Sequence, residues 1–449
     1  MATAEAARYE EQALKALEED IHYLTTVTQM ADTKEVVARE EVFAANGIKL
    51  LDKGAAISSD LRERLLQHVL LKPIDQSLEV KDGVNVQLLA QEGAQLIAME
   101  PFLRRLFASA NPQALKEALL GLSLPAQLAF KLTVAREQQP RLFKHLLVVA
   151  LLSHFLAWRL NLMQHQRVDA LLAGLVHDIG ELHTDPALLD RDHKLREEEL
   201  RYVDVHPITG YLIVKEVLRN HPDVATAVMQ HQEKLDGSGY PYGLRGEAIG
   251  QLARILSIAD ASASILARYH GYERLSALMR LNRQRFDTSL INLLQQGLNR
   301  EDDGDGIGDA NAADDRVGLQ QIQAAAQLLQ RWGEFAASMP AKPPAVLGFL
   351  HERMAELRVV LLQFGLDPDN PESLYALADD QAIANELAAV LDEVRWQFAD
   401  LERETLRHRD AIAGALSTEG VDLLDAWLVE IRACLQAGAP PDLLRDLQL

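Results

Sequence analysis

Residues 171–183 read LLAGLVHDIGELH, and residues 229–244 read MQHQEKLDGSGYPYGL. In the first stretch an apolar helical run meets His177-Asp178, and Gly180 then breaks it. Adjacent His and Asp bring a neutral nitrogen and a carboxylate to one point, the donor mixture a hard or borderline divalent metal takes. In the second, a helix ends near His231 and passes into a Gly-rich loop. Between them, VHPITG sets His206 before a Pro and a new helix. Downstream, ARILSIADASASIL puts Asp260 in the middle of an apolar helix. A lone buried carboxylate is costly, so such an Asp implies a metal or a cation. Upstream, RLFKHLLVVALL sets His145 among apolar residues. Nine of the 14 His lie between His145 and His231, which points to a His-rich site. A single His is more often a surface or satisfied core residue, and His154, His165, His183, His193 and His221 take that plain reading.

The rest of the chain sets these motifs in a mostly α protein. Aromatics are 5%, Leu and Ala dominate, and long stretches have helical periodicity. Residues 9–27 read as an amphipathic helix. In 40–85, Val42, Ile48, Leu50 and Leu51 flank Asn46-Gly47, a hairpin signal. A helix from Ser59 to Leu70, capped by Ser58 or Ser59, and a short strand near Leu78 to Val86 follow. Residues 86–300 read as successive helices. Residues 301–315, EDDGDGIGDANAADD, read as an acidic linker. In 316–449, Leu387, Leu391, Val394, Phe398 and Leu401 have the 4-3-4-3 spacing of a packed helix seam. The expected plan is a small N-terminal α+β domain with a leading helix (1–85), an all-helical domain (86–300, core 140–300), the linker (301–315) and a C-terminal helical bundle (316–449). The bundle could serve core packing, self-association or protein partners.

Charge excludes some roles. The 45 Lys plus Arg against 66 Asp plus Glu give a net charge of −21. That opposes binding to duplex nucleic acid, which depends on cations neutralising phosphates. The acidity is uneven: residues 1–100 carry −8, 301–449 carry −17, and 101–300 carry +4. A mildly basic middle suits a small anionic ligand. One cysteine, Cys434, allows neither an internal disulfide nor a Cys-based zinc site, and reads as an inert thiol. The start MATAEAARYEEQ has no basic n-region or apolar h-region, so no signal peptide is expected. The most apolar stretch, Leu146 to Trp158, has 13 residues, short of the roughly 20 that span a membrane. A cytoplasmic protein without a membrane span is expected. Asp302 to Asp315 faintly resembles a calcium loop, but Ile307 sits at a ligand position, which favours a solvated linker.

HDIGE, HPITG, HQEKLDGSGYPYGLRGEAI and RILSIAD, in this order and spacing, resemble the HD-GYP family of metal-dependent phosphohydrolases. A looser match, LARYHGYERLSAL with RFDTSL, extends it over roughly 140–300, and 40–85 weakly resembles a small domain that often precedes this one. The resemblance implies an all-helical domain, two or three iron or manganese ions, and hydrolysis of cyclic di-GMP. It implies that His145, His177, Asp178 and Asp260 hold the first metal, and that Asp178 bridges to a second held also by His206 and His231. His177 and Asp178 are then the catalytic pair. Gly237, Gly239, Tyr240 and Pro241 would shape a loop over the substrate, and Arg254 and Arg268 are candidates for its phosphates. Two such cations can activate water and polarise a phosphodiester at neutral pH.

Four positions depart from the family pattern. Gln232 stands where a second His is usual, as a further candidate ligand but a poorer donor. Glu181 replaces a phosphate-facing Lys and reverses its charge, though it could pair with Arg or reach a metal. Arg141 replaces the Glu of three-metal members, which points to two ions and makes Arg141 a phosphate candidate. Ala263 replaces an Asp. The resulting expectation is a cyclic di-GMP phosphodiesterase giving the linear dinucleotide. The alternatives are a degenerate signalling module acting through partner contacts, and a hydrolase of another nucleotide.

Overall fold

The structure is a computed structural model that describes residues 2–108, 112–189, 196–268, 284–298, 330, 331, 333, 347–363, 394, 395 and 397–436. The acidic stretch 301–315, Leu387, Leu391 and His193 lie outside the described residues, as do the side chains of Arg268 and Cys434. The chain forms two compact units. One comprises Met1–Leu189, Tyr202–Tyr272 and Arg283–Arg300; the other comprises Asp190–Arg201, Glu273–Asn282 and Glu301–Leu449.

The first unit begins with α1 (Ala2–Glu19) and α2 (Ile21–Met30). The single helix expected over 9–27 is broken at Asp20, whose φ of 45° interrupts the helical path. Short strands β1 (Val36–Ala38), β2 (Val42–Phe43), β3 (Lys49–Leu51) and β4 (Leu78–Val80) form two antiparallel pairs, β1 with β4 and β2 with β3. Asn46-Gly47 turns the β2–β3 hairpin, with Gly47 at φ 84°. The helix expected from Ser59 to Leu70 is a 3-10 turn, Ser59–Leu61, followed by α3 (Arg62–Leu66). It stops short because the next segment pairs with the hairpin: Val69 O accepts from Ala45 N, and Leu71 N donates to Phe43 O. Neither serine caps it through its side chain; the Asp32 carboxylate accepts from Ser59 N instead.

Helices then follow one another: α4 (Ile74–Ser77), α5 (Val86–Met99), α6 (Pro101–Phe107), α7 (Pro112–Leu120), α8 (Ala126–Gln138), α9 (Pro140–Arg159), α10 (Gln164–Val176), α11 (Glu197–Asp204, of which Glu197–Arg201 is assigned to the second unit), α12 (His206–Val217), α13 (Pro222–Gln230), α14 (Gln251–Arg268) and α15 (Thr288–Leu298). The centre is α9, which packs on α8, α10 and α14. By length and apolar composition α9 could cross a membrane, but 78% of its apolar window is buried inside the protein, as in a core helix. The α1, α2 and α4 segments pack on α12, α8 and the turn after α10, so residues 1–85 lie in one unit with most of 86–300.

In the second unit, residues 347–363, 397–413 and 418–436 are largely helical. Val394, Phe398 and Leu401, the described part of the expected seam, are all buried.

Candidate metal centre

Five elements converge on one point. His145 comes from α9, His177 from the end of α10 and Asp178 from the residue after it. His206 opens α12, His231 ends α13, and Asp260 lies within α14. His177, Asp178, His206, His231 and Asp260 are buried, while His145 is half-buried. The turn after Asp178 runs as a 3-10 helix, Ile179–His183, and lies tight against α12. Gly180 allows this approach, because a Cβ there would collide with the His206 carbonyl oxygen.

The donors form two groups that share Asp178. On its Oδ2 side, His177 Nε2 lies at 2.9 Å and His145 Nε2 at 3.6 Å. Asp260 Oδ1 is 3.1 Å from His145 Nε2 and 3.9 Å from His177 Nε2. On the Oδ1 side, His231 Nε2 lies at 3.1 Å and His206 Nε2 at 3.4 Å, with 3.3 Å between the two nitrogens. Two ligands each about 2.1 Å from one ion stand about 3.0 Å apart at a right angle, close to most of these spacings.

Hydrogen bonds behind the rings set the tautomers. His177 Nδ1 donates to Gly174 O at 2.9 Å, His206 Nδ1 to Val203 O at 2.8 Å, and His231 Nδ1 to Val228 O at 2.6 Å. In each case the acceptor is the carbonyl three residues earlier. Neutral rings so held turn the Nε2 lone pair inward, as metal-ligating His do. Lone pairs of nitrogen and carboxylate then face each other across about 3 Å, which requires a cation between them. His177 Nε2 and Asp178 Oδ1 are buried without a hydrogen-bond partner, as that requirement implies. The donor set therefore fits divalent metal.

Without metal, protons fill the same need. Burial pushes His177 down, but the nearby negative charges of Asp178 and Asp260 prevail and raise it to about 9. Burial would raise Asp178, yet His177, His231 and His206 hold it well below the usual carboxylate range. Burial opposes ionisation of Asp260 too, and His145 and His177 overcome it, bringing Asp260 to about 2. His206 is pushed down, chiefly by burial. Burial, reinforced by the negative charge of Asp178, raises Glu181 well above its ordinary value.

Gln232, considered as a further ligand, lies beside the first group. Its Nε2 donates to Asp260 Oδ2 at 3.2 Å, so it orients a carboxylate of the first group. Arg254 likewise serves the fold: its guanidinium donates to Ile249 O and Gly246 O and lies 3.7 Å from Asp287. Arg141 is exposed one turn before His145. Ala263 is buried in α14.

The loop after His231 folds back on its own stem. A Cβ on Gly239 would strike the backbone of Gln232, Glu233 and Lys234, so glycine permits the contact. Gly237 has φ 83°, and Tyr240-Pro241 is a cis peptide. The Tyr240 ring meets the His206 ring edge-on, centroids 6.2 Å apart. Glu233 is a residue the sequence reading missed. It is 1% exposed, and its carboxylate accepts from Tyr242 N at 2.7 Å and Leu244 N at 2.8 Å, fastening the loop. A Glu within a Gly-rich loop reads as solvated, and no spacing signals its burial.

Among the histidines read as plain, His154 is buried with Nδ1 near Arg167 O, His221 pairs with Asp169 at 2.6 Å, and His165 is exposed. His183 is buried between Asp20 and Lys131.

A helical unit that gathers two His–carboxylate donor groups around a shared Asp is the class of domain that can hold divalent metal. Residues 128–290 match the HD domain family model, and the DGSGYP loop lies within the matched stretch. The match starts 12 residues before the expected core boundary at 140. The chain is 38% identical over 143 residues to a 3'3'-cGAMP-specific phosphodiesterase of Vibrio cholerae, covering 31% of this chain and 33% of the relative. It is 33% identical over 123 residues to a cyclic di-GMP phosphodiesterase of Pseudomonas aeruginosa, covering 27% and 30%. A second 3'3'-cGAMP-specific phosphodiesterase of Vibrio cholerae is 37% identical over 113 residues, covering 25% and 24%. The matched region thus spans a third or less of these curated relatives.

Proposed function

We propose that the chain is a metal-dependent phosphodiesterase that opens cyclic di-GMP to the linear dinucleotide. The carrying observation is the pair of donor groups sharing Asp178, with Oδ1 facing one and Oδ2 the other. We assign two ions, iron or manganese, one to each group. When bound, such ions supply Lewis acidity and activate water at neutral pH. His145, His177 and Asp260 hold one side of the site, and His206 and His231 hold the other. Glu233 fixes the loop that ends in Tyr240-Pro241 beside His206. Glu181 stands where a Lys would offer a charge to the phosphate. Hydrolysis adds water across one P–O bond of the ring and leaves the second phosphodiester intact.

Names among the relatives favour a second substrate. Two of the three relatives above are specific for 3'3'-cGAMP, so a mixed cyclic dinucleotide is the alternative within the same chemistry. Manganese- or iron-loaded full-length protein, given each nucleotide separately, distinguishes them by product chromatography. The expected result is linear dinucleotide from cyclic di-GMP. Turnover of 3'3'-cGAMP alone would move the assignment to that substrate. Turnover of neither by metal-replete protein would remove the catalytic reading and leave a binding module.

A further inference from the structure

A buried polar chain lies outside the donor groups and ends on the turn that follows Asp178. His183 Nδ1 is 2.6 Å from Asp20 Oδ1, and His183 Nε2 is 2.9 Å from Lys131 Nζ. Lys131 Nζ continues to Asp75 Oδ2 at 2.9 Å, and Gln127 Nε2 donates to Asp75 Oδ1 at 3.2 Å. The Tyr23 ring closes the chain, with Lys131 Nζ 3.8 Å from its centroid and the His183 ring tilted against it at 4.7 Å. Asp20, Asp75, Lys131 and His183 are each at most 8% exposed.

The directions of the bonds are fixed by chemistry. The Lys131 ammonium only donates, so His183 Nε2 accepts from it. Nδ1 then carries the proton and donates to Asp20. The neutral ring this requires agrees with the depressed basicity of His183, caused by burial and then by Lys131. One His is thus held at both nitrogens, by Asp20 at the α1–α2 break and by Lys131 of α8.

Position gives the chain its meaning. Glu181 N donates to Asp178 O at 2.9 Å, and Thr184 N donates to Glu181 O at 3.0 Å, so the 3-10 turn is a continuous strut from Asp178 to His183. Its near end is wedged on α12 at Gly180, and its far end is pinned by Asp20 and Lys131. Asp20 has a left-handed backbone at φ 45°, uncommon for a non-glycine residue, at the break between α1 and α2. That break lets α1 lay Tyr9 and Ala13 against Val205 and Ile208, on either side of His206, while α2 reaches the strut. Asp20, Tyr23 and Asp75 all lie before residue 128, outside the HD domain match.

We infer that Asp20, His183, Lys131 and Asp75 are positioning residues for the bridging carboxylate Asp178, so that the N-terminal segment is part of the metal centre. This rests on the metal-centre reading above. Removing the pin leaves all six donors in place but frees the strut that aims Asp178.

The test is cobalt binding to the full chain, followed by the visible spectrum of the bound ion and by titration, for wild type, His183→Gln and Asp20→Asn. Losing an outer partner of a metal ligand weakens affinity by about 10–100-fold. His183→Gln should weaken cobalt binding within that range and alter the spectrum. Asp20→Asn, whose amide oxygen still accepts from Nδ1, should largely keep both. Wild-type affinity and spectrum in both variants, with only a lower melting temperature, would overturn the inference and leave a structural core network. If His183→Gln fails to fold, Lys131→Met against wild type gives the same comparison. Absence of cobalt binding by wild type would instead contradict the metal-centre reading itself.

Discussion

On the Oδ2 side of Asp178 stand His145, His177 and Asp260; on the Oδ1 side stand His206 and His231. The first side has a second carboxylate, itself oriented by Gln232, and the other has imidazoles alone beyond the shared Asp. Charge sets affinity for a divalent cation, so the first side should hold its ion more tightly. The difference teaches how a substitution can act on the side where it was not expected. Gln232 stands where a further imidazole is usual, yet its amide serves Asp260. Gln232 orients a carboxylate of one group, while the other keeps its smaller donor set.

The largest expected effect erases the comparison. Asp178→Ala removes the shared ligand and should abolish both sites, read as metal per chain by elemental analysis, together with all turnover. Next, Asp260→Ala and His231→Ala should separate the sides. Asp260→Ala should cost the tighter ion and His231→Ala the weaker one, each resolved as the loss of one phase in a metal titration. A smaller effect is on stability. His177 is raised from about 6.5 to about 9, so in metal-free protein its stabilising proton is fully present below about pH 6.5 and lost as pH rises through 9. The loss amounts to about 3 kcal/mol at most. Denaturant melts of chelated protein should weaken over that window, and metal-loaded protein should not, because the ion replaces the proton. The smallest effect is on substrate. Glu181→Lys places a cation near the phosphate and should lower KM several-fold with kcat little changed, measured on the loaded enzyme.

Five of the six donor positions were legible because they lie in short motifs whose spacing is local: HDIGE, VHPITG, MQH and SIAD; the sixth, His145, was legible as a lone His in the apolar run RLFKHLLVVALL. The hairpin was legible for the same reason, since Asn46-Gly47 encodes its own turn. What was not legible depends on tertiary contact. The α3 helix ends at Leu66 because residues 69–71 pair with residues 43–45, and no propensity signals that. Asp20 reads as one acid in the acidic run EED, and only the fold shows it buried on His183, 163 positions away. Glu233 and Arg254 carry functional-looking side chains that hold loops by backbone bonds. The bond from Gln232 to Asp260 was hidden because it joins residues 28 positions apart in the chain.

Elemental analysis and titration of the purified full chain, with activity on cyclic di-GMP measured in the same samples, test the central claim most directly. The account predicts two divalent ions per chain, released in two steps by chelator, with turnover lost when the weaker ion leaves. One ion or none in active protein, or two ions released in a single step with activity unaffected, would contradict it.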